Sequence, residues 1–396
     1  MAKTSERSQR GGHAGASIED VAKAAGVSTA TVSRAVRGLP RVSPATREKI
    51  LRVAGELGYV ASSSASGLAT GRTRTIGVLA PYVDRWFFFK AIEGVDRELH
   101  ARGYNLSLFN LGGQRGARER LFSKTMVYKQ IDALLVLCMS LTSEEIADLQ
   151  RIDIPLVIVG GPVEDCPSIG IDDYAASVEA TMHLLNLGHR EIALLHGQDD
   201  SDLNFTVPRL RVDGFTDAMT SAGFSMPPEW DIFGNFTVGS GQQAFDELWD
   251  KPGPKPTALF CASDEMAMGA MLQARRRGVR VPEELSIIGI DNHEFAEAMG
   301  LTTVAQDPVE QGQLGTRMLL DELGGAAGAV RSMKAPHRLI IRETTAPPRA
   351  APPAAAHRAG QNQAPSKNQA PSKNQEPSKN QPASKNQTTR KPAPTA

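Results

Sequence analysis

Short helical periods open the chain, and a long alternation of apolar runs with amphipathic stretches follows. Between Ser17 and Tyr59, Ile18, Val21, Ala22 and Ala25 fall at helical spacing, Gly26 supplies a left-handed corner, and Ser28 is a natural N-cap for a second helix over Thr29 to Val36. A third helix is predicted with Ser43 as N-cap, Pro44 at its first position, Ile50, Val53, Ala54 and Leu57 on one face, and Gly58 as its stop. Together they predict a helix-turn-helix braced by a third helix, closing on a small core of Val21, Val27, Val32, Ile50 and Leu57.

From Val60 to Thr75 the composition turns to Ser, Ala, Gly and Thr (VASSSASGLATGRTRT), a linker or a segment that orders only on contact. Its Leu68 has no evident core to join. After Thr75 come TIGVLAP, YNLSLFN, IDALLVLC, IPLVIVG, REIALLHG, TALFCASD and LSIIGID, each separated from the next by helical patterning. Near-continuous Val, Ile and Leu in strands that alternate with helices predict parallel sheet covered on both faces. Roughly 270 residues of this exceed one comfortable sheet and predict two similar lobes. The end is a hexad repeat, NQAPSK, NQAPSK, NQEPSK, NQPASK, without a hydrophobe to support ordering, and disorder is expected there. The expected organisation is an all-α domain over 17–60, a linker over 61–75, an α/β two-lobed domain over 76–346 and a low-complexity tail over 347–396.

Charge separates these parts although the chain is neutral overall. Residues 1–75 hold twelve bases and five acids, a net +7; residues 351–396 carry +6; the remainder is left at −13. A cationic front on an acidic body suits a polyanionic partner for the front alone. No run approaches the roughly 18 apolar residues of a membrane span, and no secretion signal opens the chain, so a cytoplasmic protein without a membrane partner is expected. Cys138, Cys166 and Cys261 form no Cys-x-x-Cys pair, and neither disulfide framework nor zinc site is suggested.

A helix-turn-helix is useful when its second helix enters the major groove, where base edges display a readable pattern of donors and acceptors. In that pose Thr29 and Ala30 face base edges, Arg34 lies one turn on within reach of a guanine, and Ser28 and Thr31 suit phosphate. The residues then become recognisable. IEDVAKAAGVSTATVSRAVRG, VSPATREKILRVAGELGYVASSSASGLATGRTRTIGV, LNLGHREIALLHG, PTALFCASDEMAMGAM, GVRVPEELSIIGIDN, LTTVAQD and RLIIRETTAPP closely resemble the lactose-repressor (LacI/GalR) family of bacterial transcription regulators, over about Ile18 to Pro348.

The resemblance implies a repressor that binds double-stranded DNA as a homodimer on a near-palindromic operator, under control of a small molecule, a sugar or sugar derivative, held between two lobes of periplasmic-binding-protein type. It puts Thr29, Ala30 and Arg34 on bases, and Ser28, Thr31, Ser33, Ser43 and Thr46 on phosphates. Leu68 falls at the hinge leucine that wedges into the minor groove. Arg211 and Asp291 match the family's ligand-holding pair, Phe236 lies where an aromatic face can stack, and Trp86, Phe87, Phe88, Ser263 and Asp264 belong to the cleft mouth, although Asp264 is equally suited to capping the nearby helix. Ala61-Ser62 and Ser66 depart from the family's hinge pattern. Gly160 and Leu137 stand where polar side chains occur in sugar-binding members.

Two other classes fit the residues less well. An enzyme reading finds no Gly-x-Gly-x-x-Gly after TIGVLAP, no Gly-Lys-Ser/Thr phosphate loop and no metal spacing among the histidines, and His189 reads as structural, so neither catalysis nor a cofactor is expected. A secreted solute-binding protein would share the lobes but lacks this front end.

Overall fold

The computed structural model describes residues 16–59, 72–112, 116–122, 130–161, 166–197, 204–325 and 332–349. Leu68, residues 61–71 of the expected linker and the tail from residue 350 lie outside the described residues.

Helices α1 (Ile18–Ala25), α2 (Thr29–Val36) and α3 (Pro44–Glu56) form the front domain. Ser17 and Asp20 make a reciprocal capping box at α1, and Gly26 takes the left-handed φ of 68° that turns the chain into α2. Val21, Val32 and Ile50, one from each helix, are fully buried together with Ala22, Ala25, Ala35, Val53 and Ala54. Leu57, expected in this core, is instead 41% exposed. Leu57 is the C-cap residue of α3, just past the last turn whose Val53 and Ala54 are buried.

The body holds two six-stranded sheets. In the first, β1 (Thr75–Ala80), β2 (Asn105–Asn110), β3 (Ala133–Leu137), β4 (Leu156–Val159), β5 (Ser168–Gly170) and β11 (Ser332–Lys334) lie in the order β11-β5-β4-β3-β1-β2, all parallel. In the second, β6 (Ile192–Gly197), β7 (Asp231–Gly234), β8 (Ala258–Cys261), β9 (Ser286–Asp291), β10 (Thr302–Ala305) and β12 (Arg338–Ile340) lie in the order β12-β10-β9-β8-β6-β7, with only β12 antiparallel. The alternation of strand side chains explains the continuous apolar runs. Ile192 and Leu194, with Ala258 and Phe260, enter one hydrophobic cluster, whereas Ala193 and Leu195, with Leu259 and Cys261, enter another on the opposite face.

The remaining helices are α4 (Trp86–Arg102), α5 (Ala117–Phe122), α6 (Ser143–Arg151), α7 (Asp173–Asn186), α8 (Val207–Ser221), α9 (Val238–Asp250), α10 (Asp264–Arg276) and α11 (Pro308–Leu323). The chain leaves the first lobe between β5 and α7, returns between β10 and α11, and leaves again between β11 and β12. Helix α11 therefore packs on the first sheet although the strand before it belongs to the second. Its seat on α4 is made by glycines: a Cβ on Gly94 would lie 2.0 Å from the Val309 carbonyl oxygen, and one on Gly312 would lie 2.2 Å from that of Ala91.

Five strands were not among the seven read from the sequence. Of these, β5, β11 and β12 have three residues each and β7 and β10 four, too few to show a period. All three cysteines are free and buried. His189 is buried too, its Nδ1 2.9 Å from the Thr257 hydroxyl and its Nε2 2.8 Å from the Ala346 carbonyl, so it fastens the C-terminal segment to the second lobe.

Candidate functional site

Two surfaces collect the residues singled out by sequence. On α2 the inward stripe of Val32 and Ala35 leaves Thr29, Ala30 and Arg34 exposed, and the helix start is ordered by its cap. The Ser28 hydroxyl accepts from the Thr31 amide at 3.2 Å and lies 2.9 Å from the Thr31 hydroxyl. Ser43 and Thr46 repeat the arrangement at the start of α3, with 3.2 Å and 2.7 Å. Of these four hydroxyls, all expected on phosphates, those of Ser28 and Ser43 are thus also the N-caps of the two helices; Ser28 and Ser43 are exposed, while Thr31, Ser33 and Thr46 are half-buried.

The second surface is a cavity between the lobes, with about 610 Å³ of empty space including its open mouth. It lies at the carboxyl ends of strands from both sheets, where open α/β sheets bind ligands: Cys138 follows β3, Gly160 follows β4, Asn235 and Phe236 follow β7, Ser263 follows β8, and Asp291 ends β9. Phe87, Phe88, Arg211, Phe236, Ser263 and Asp291, six of the eight effector candidates, line it. Strained backbone concentrates here: Cys138 (φ 53°), Phe236 (φ 51°) and Asp291 (φ 131°) all hold positive φ without being glycine, a cost of order 1–3 kcal/mol each that persists where surroundings over-determine it. Gly197 makes the room for the Phe236 ring, since a Cβ there would stand 1.8 Å from Cε2.

At the polar end Arg211 is buried, its Nε 2.9 Å and its Nη2 2.7 Å from Asp173 Oδ1, and its Nη1 donates to the Ala262 carbonyl. Asp291 Oδ1 accepts from Gln306 Nε2 at 2.7 Å, and Gln306 Oε1 accepts from Gln311 Nε2 at 3.0 Å. Burial pushes the Asp291 carboxyl well above the ordinary carboxylate range; Arg211 opposes this and the neighbouring Asp264 adds to it. Burial likewise raises the Cys138 thiol, which is therefore a neutral group in the wall.

Two of the eight candidates do something else. Trp86 turns away from the cavity: its amide donates to Glu265 Oε2 at 3.0 Å, its indole Nε1 donates to Glu294 Oε2 at 2.8 Å, and its ring packs on His293 at 5.2 Å. It joins the first turn of α4 to the opposite lobe. Asp264 is fully buried, accepting from the Thr303 hydroxyl at 2.7 Å and the His293 amide at 2.9 Å. Nor does it cap α10, whose N-cap is Ser263, with the hydroxyl 3.4 Å from the Met266 amide. Both readings went astray because adjacent positions on a helix start point to different sides of it. Leu137 is fully buried and outside the cavity lining, whereas Gly160 is part of it.

Sequence reasoning missed Tyr82, Phe205, Asp173, Glu265 and Gln306 in the lining. The paired acids of IDDYA, directly after a strand, were the one available signal for Asp173. No group of metal-binding side chains occurs among the described residues, and no helix among them is long and apolar enough to cross a membrane.

A reading helix on a small trihelical domain, followed by two α/β lobes with a cavity between them, defines the class of DNA-binding regulators with a ligand-binding body. Residues 17–62 match the family described as bacterial regulatory proteins, lacI family, and residues 181–345 match the periplasmic binding protein-like domain. The chain is 35% identical over 334 residues to the HTH-type transcriptional repressor CytR of Escherichia coli (strain K12), covering 83% of this chain and 96% of that one. Among solved structures it resembles the transcriptional regulator CelR–cellobiose complex (30% identity, TM-score 0.61, 83% of this chain and 100% of that one). It also resembles the lac repressor dimer bound to operator and the anti-inducer ONPF (26% identity, TM-score 0.72, 84% and 99%). The chain belongs to the lacI family of bacterial regulatory proteins, and it is a DNA-binding regulator of transcription.

Proposed function

We propose that this protein is a cytoplasmic repressor that binds a near-palindromic operator as a homodimer and is controlled by a small, sugar-like molecule held between its lobes without being turned over. Each front domain reads one half-site, with Thr29, Ala30 and Arg34 on base edges and Ser28, Thr31, Ser33, Ser43 and Thr46 along the phosphates. The Leu68 pair wedges into the minor groove between half-sites. In the cleft Arg211 donates to the ligand and Asp291 accepts from it, Phe87, Phe88 and Phe236 supply apolar faces, and Ser263 offers a hydroxyl.

The observation that carries this reading is the cavity itself: the buried Arg211 guanidinium and Asp291 carboxyl group of the second lobe and the Phe87 and Phe88 rings of the first line one space bounded by both lobes. A ligand that touches residues of both lobes stabilises one lobe arrangement over others, and differential affinity is the only means by which it can shift the equilibrium. The test is selection of duplexes from a random library by the full chain, followed by affinity measurements with and without cleft ligands. A dyad-symmetric consensus is expected; recovery of no preferred sequence would overturn the proposal.

A further inference from the structure

The hexad repeat beyond the body is used by neither the reading helix nor the cleft. Five units run without a gap from Asn362 to Lys391: NQAPSK, NQAPSK, NQEPSK, NQPASK and NQTTRK. Asn, Gln and Lys hold the first, second and sixth places of every unit, whereas the third to fifth places pass through Ala, Glu, Pro, Ser, Thr and Arg. The last unit loses both Pro and Ser and still keeps its lysine in register. What the repeat preserves is a cation every six residues, at Lys367, Lys373, Lys379, Lys385 and Lys391, with a pair of side-chain amides ahead of each. Arg358 and Arg390 add to this charge, and Glu376 is the one acid after residue 350.

An ammonium group binds phosphate as a point charge, without regard to the base beside it, and side-chain amides donate to phosphate oxygens and groove edges. Six residues span at most about 20 Å, a length over which a DNA duplex carries about 12 charges. Each lysine therefore finds a phosphate in any register. No large apolar side chain occurs between Asn362 and Lys391, which leaves nothing to enter a lipid interface or a protein groove. The acidic body is the rival polyanion, but its acids are largely spoken for: Glu98 holds Arg102 and Arg317, Glu145 holds Arg118, Asp172 holds Lys334, and Asp246 and Asp250 hold Arg277.

The body also decides where these cations start. The Thr344 hydroxyl donates to the Ile287 carbonyl at 2.7 Å, the Ala346 amide donates to Ser286 Oγ at 3.1 Å, and Pro348 lies beside Gly188 in the turn before β6. The C-terminal segment thus ends at the first residue of β9, whose other end, Asp291, lines the cavity. The linker arrives at the first residue of β1, where the Thr73 and Arg74 amides donate to Asp132 at 2.6 and 2.7 Å. Both sheets turn their carboxyl ends to the cavity, so linker and tail join the body at opposite poles. From Arg349 to Lys367 the chain spans at most about 60 Å.

We infer that residues 362–391 are a second DNA-binding element, sequence-independent, which holds a stretch of duplex other than the one under the front domains. This goes beyond operator reading and is independent of what the cleft holds.

The first test is fluorescence anisotropy of the full-length protein on a labelled duplex of random sequence, from about 50 to 200 mM salt. Lys→Gln at all five positions is expected to lower affinity about ten-fold or more at the low-salt end and to make the dependence of log affinity on log salt shallower by at least about two. Lys→Arg at the same positions is expected to preserve both. Unchanged affinity and slope in the Lys→Gln protein overturn the proposal. Lysine-dependent binding that is tighter on single-stranded RNA of equal length overturns the duplex as partner.

The second test loads the protein on a bead-held duplex selected for the front domains and offers a labelled duplex of unrelated sequence. The native chain is expected to retain the second duplex and the Lys→Gln chain to lose it while staying on the bead. A native chain that holds the first duplex but never the second overturns the two-duplex arrangement. A native chain that fails to stay on the bead, with the anisotropy difference intact, faults the front-domain reading and upholds the tail.

Discussion

The indole Nε1 of Trp86 donates to Glu294 across the two lobes at 2.8 Å, and Lys90 approaches the same carboxylate at 3.5 Å. Trp86 is only 6% exposed, so the first turn of α4 is held by the second lobe at the edge of the cavity. These contacts exist only while the lobes are together. Trp86→Phe removes the indole N–H but keeps the ring and the amide bond to Glu265. It is expected to populate a more open arrangement, read as a longer distance between spin labels placed one on each lobe, with Glu294→Gln giving a smaller change in the same direction. Unaltered distance distributions in both variants would exclude a latch.

Arg34 is exposed on the face of α2 opposite Val32 and Ala35. If it reads a guanine, Arg34→Ala costs about 1–3 kcal/mol at one base position per half-site and relaxes preference there. Uniform weakening on every duplex, with a shallower salt dependence, would instead mark Arg34 as a phosphate contact. Competition binding on a set of single-base operator variants separates the two.

Arg211 and Asp173 are 5% and 2% exposed, and burial pushes the Asp173 carboxyl upward against the opposing pull of Arg211. Removing the guanidinium strands that carboxylate away from water, so Arg211→Ala is expected to cost about 3–5 kcal/mol of stability. The paired variant Arg211→Met with Asp173→Leu is expected to recover most of the loss, because two apolar side chains leave no unmatched charge. Urea denaturation of the three proteins checks this; a double variant as unstable as the single one would show that shape, and not charge, sets the cost.

Gly94 is needed for the approach of α4 to α11. Gly94→Ala sets a methyl group about 2 Å from the Val309 carbonyl oxygen, on backbone that cannot swing aside, and overpacking of this kind costs about 1–3 kcal/mol. Gly239→Ala, where nothing lies within 4 Å of the added carbon, is the matched control and is expected to be neutral or slightly stabilising. Thermal denaturation of both variants compares them directly.

Much of the architecture was legible in the residues themselves. The caps at Ser28 and Ser43, the corner at Gly26 and the outward set of Thr29, Ala30 and Arg34 follow from local rules, because a helix start is decided within about four residues. The long strands of the body were equally plain, since burial on both faces leaves a continuous apolar run. Tertiary structure alone decided the cleft. Asp173 meets Arg211 only because the chain crosses between lobes just before α7, and Gln306 reaches Asp291 only at the return crossing. Trp86 and Phe87 are neighbours in sequence, yet one fastens the lobes and the other lines the cavity. Sequence spacing fixes which way a side chain points from its own helix; what it meets there depends on segments more than a hundred residues away.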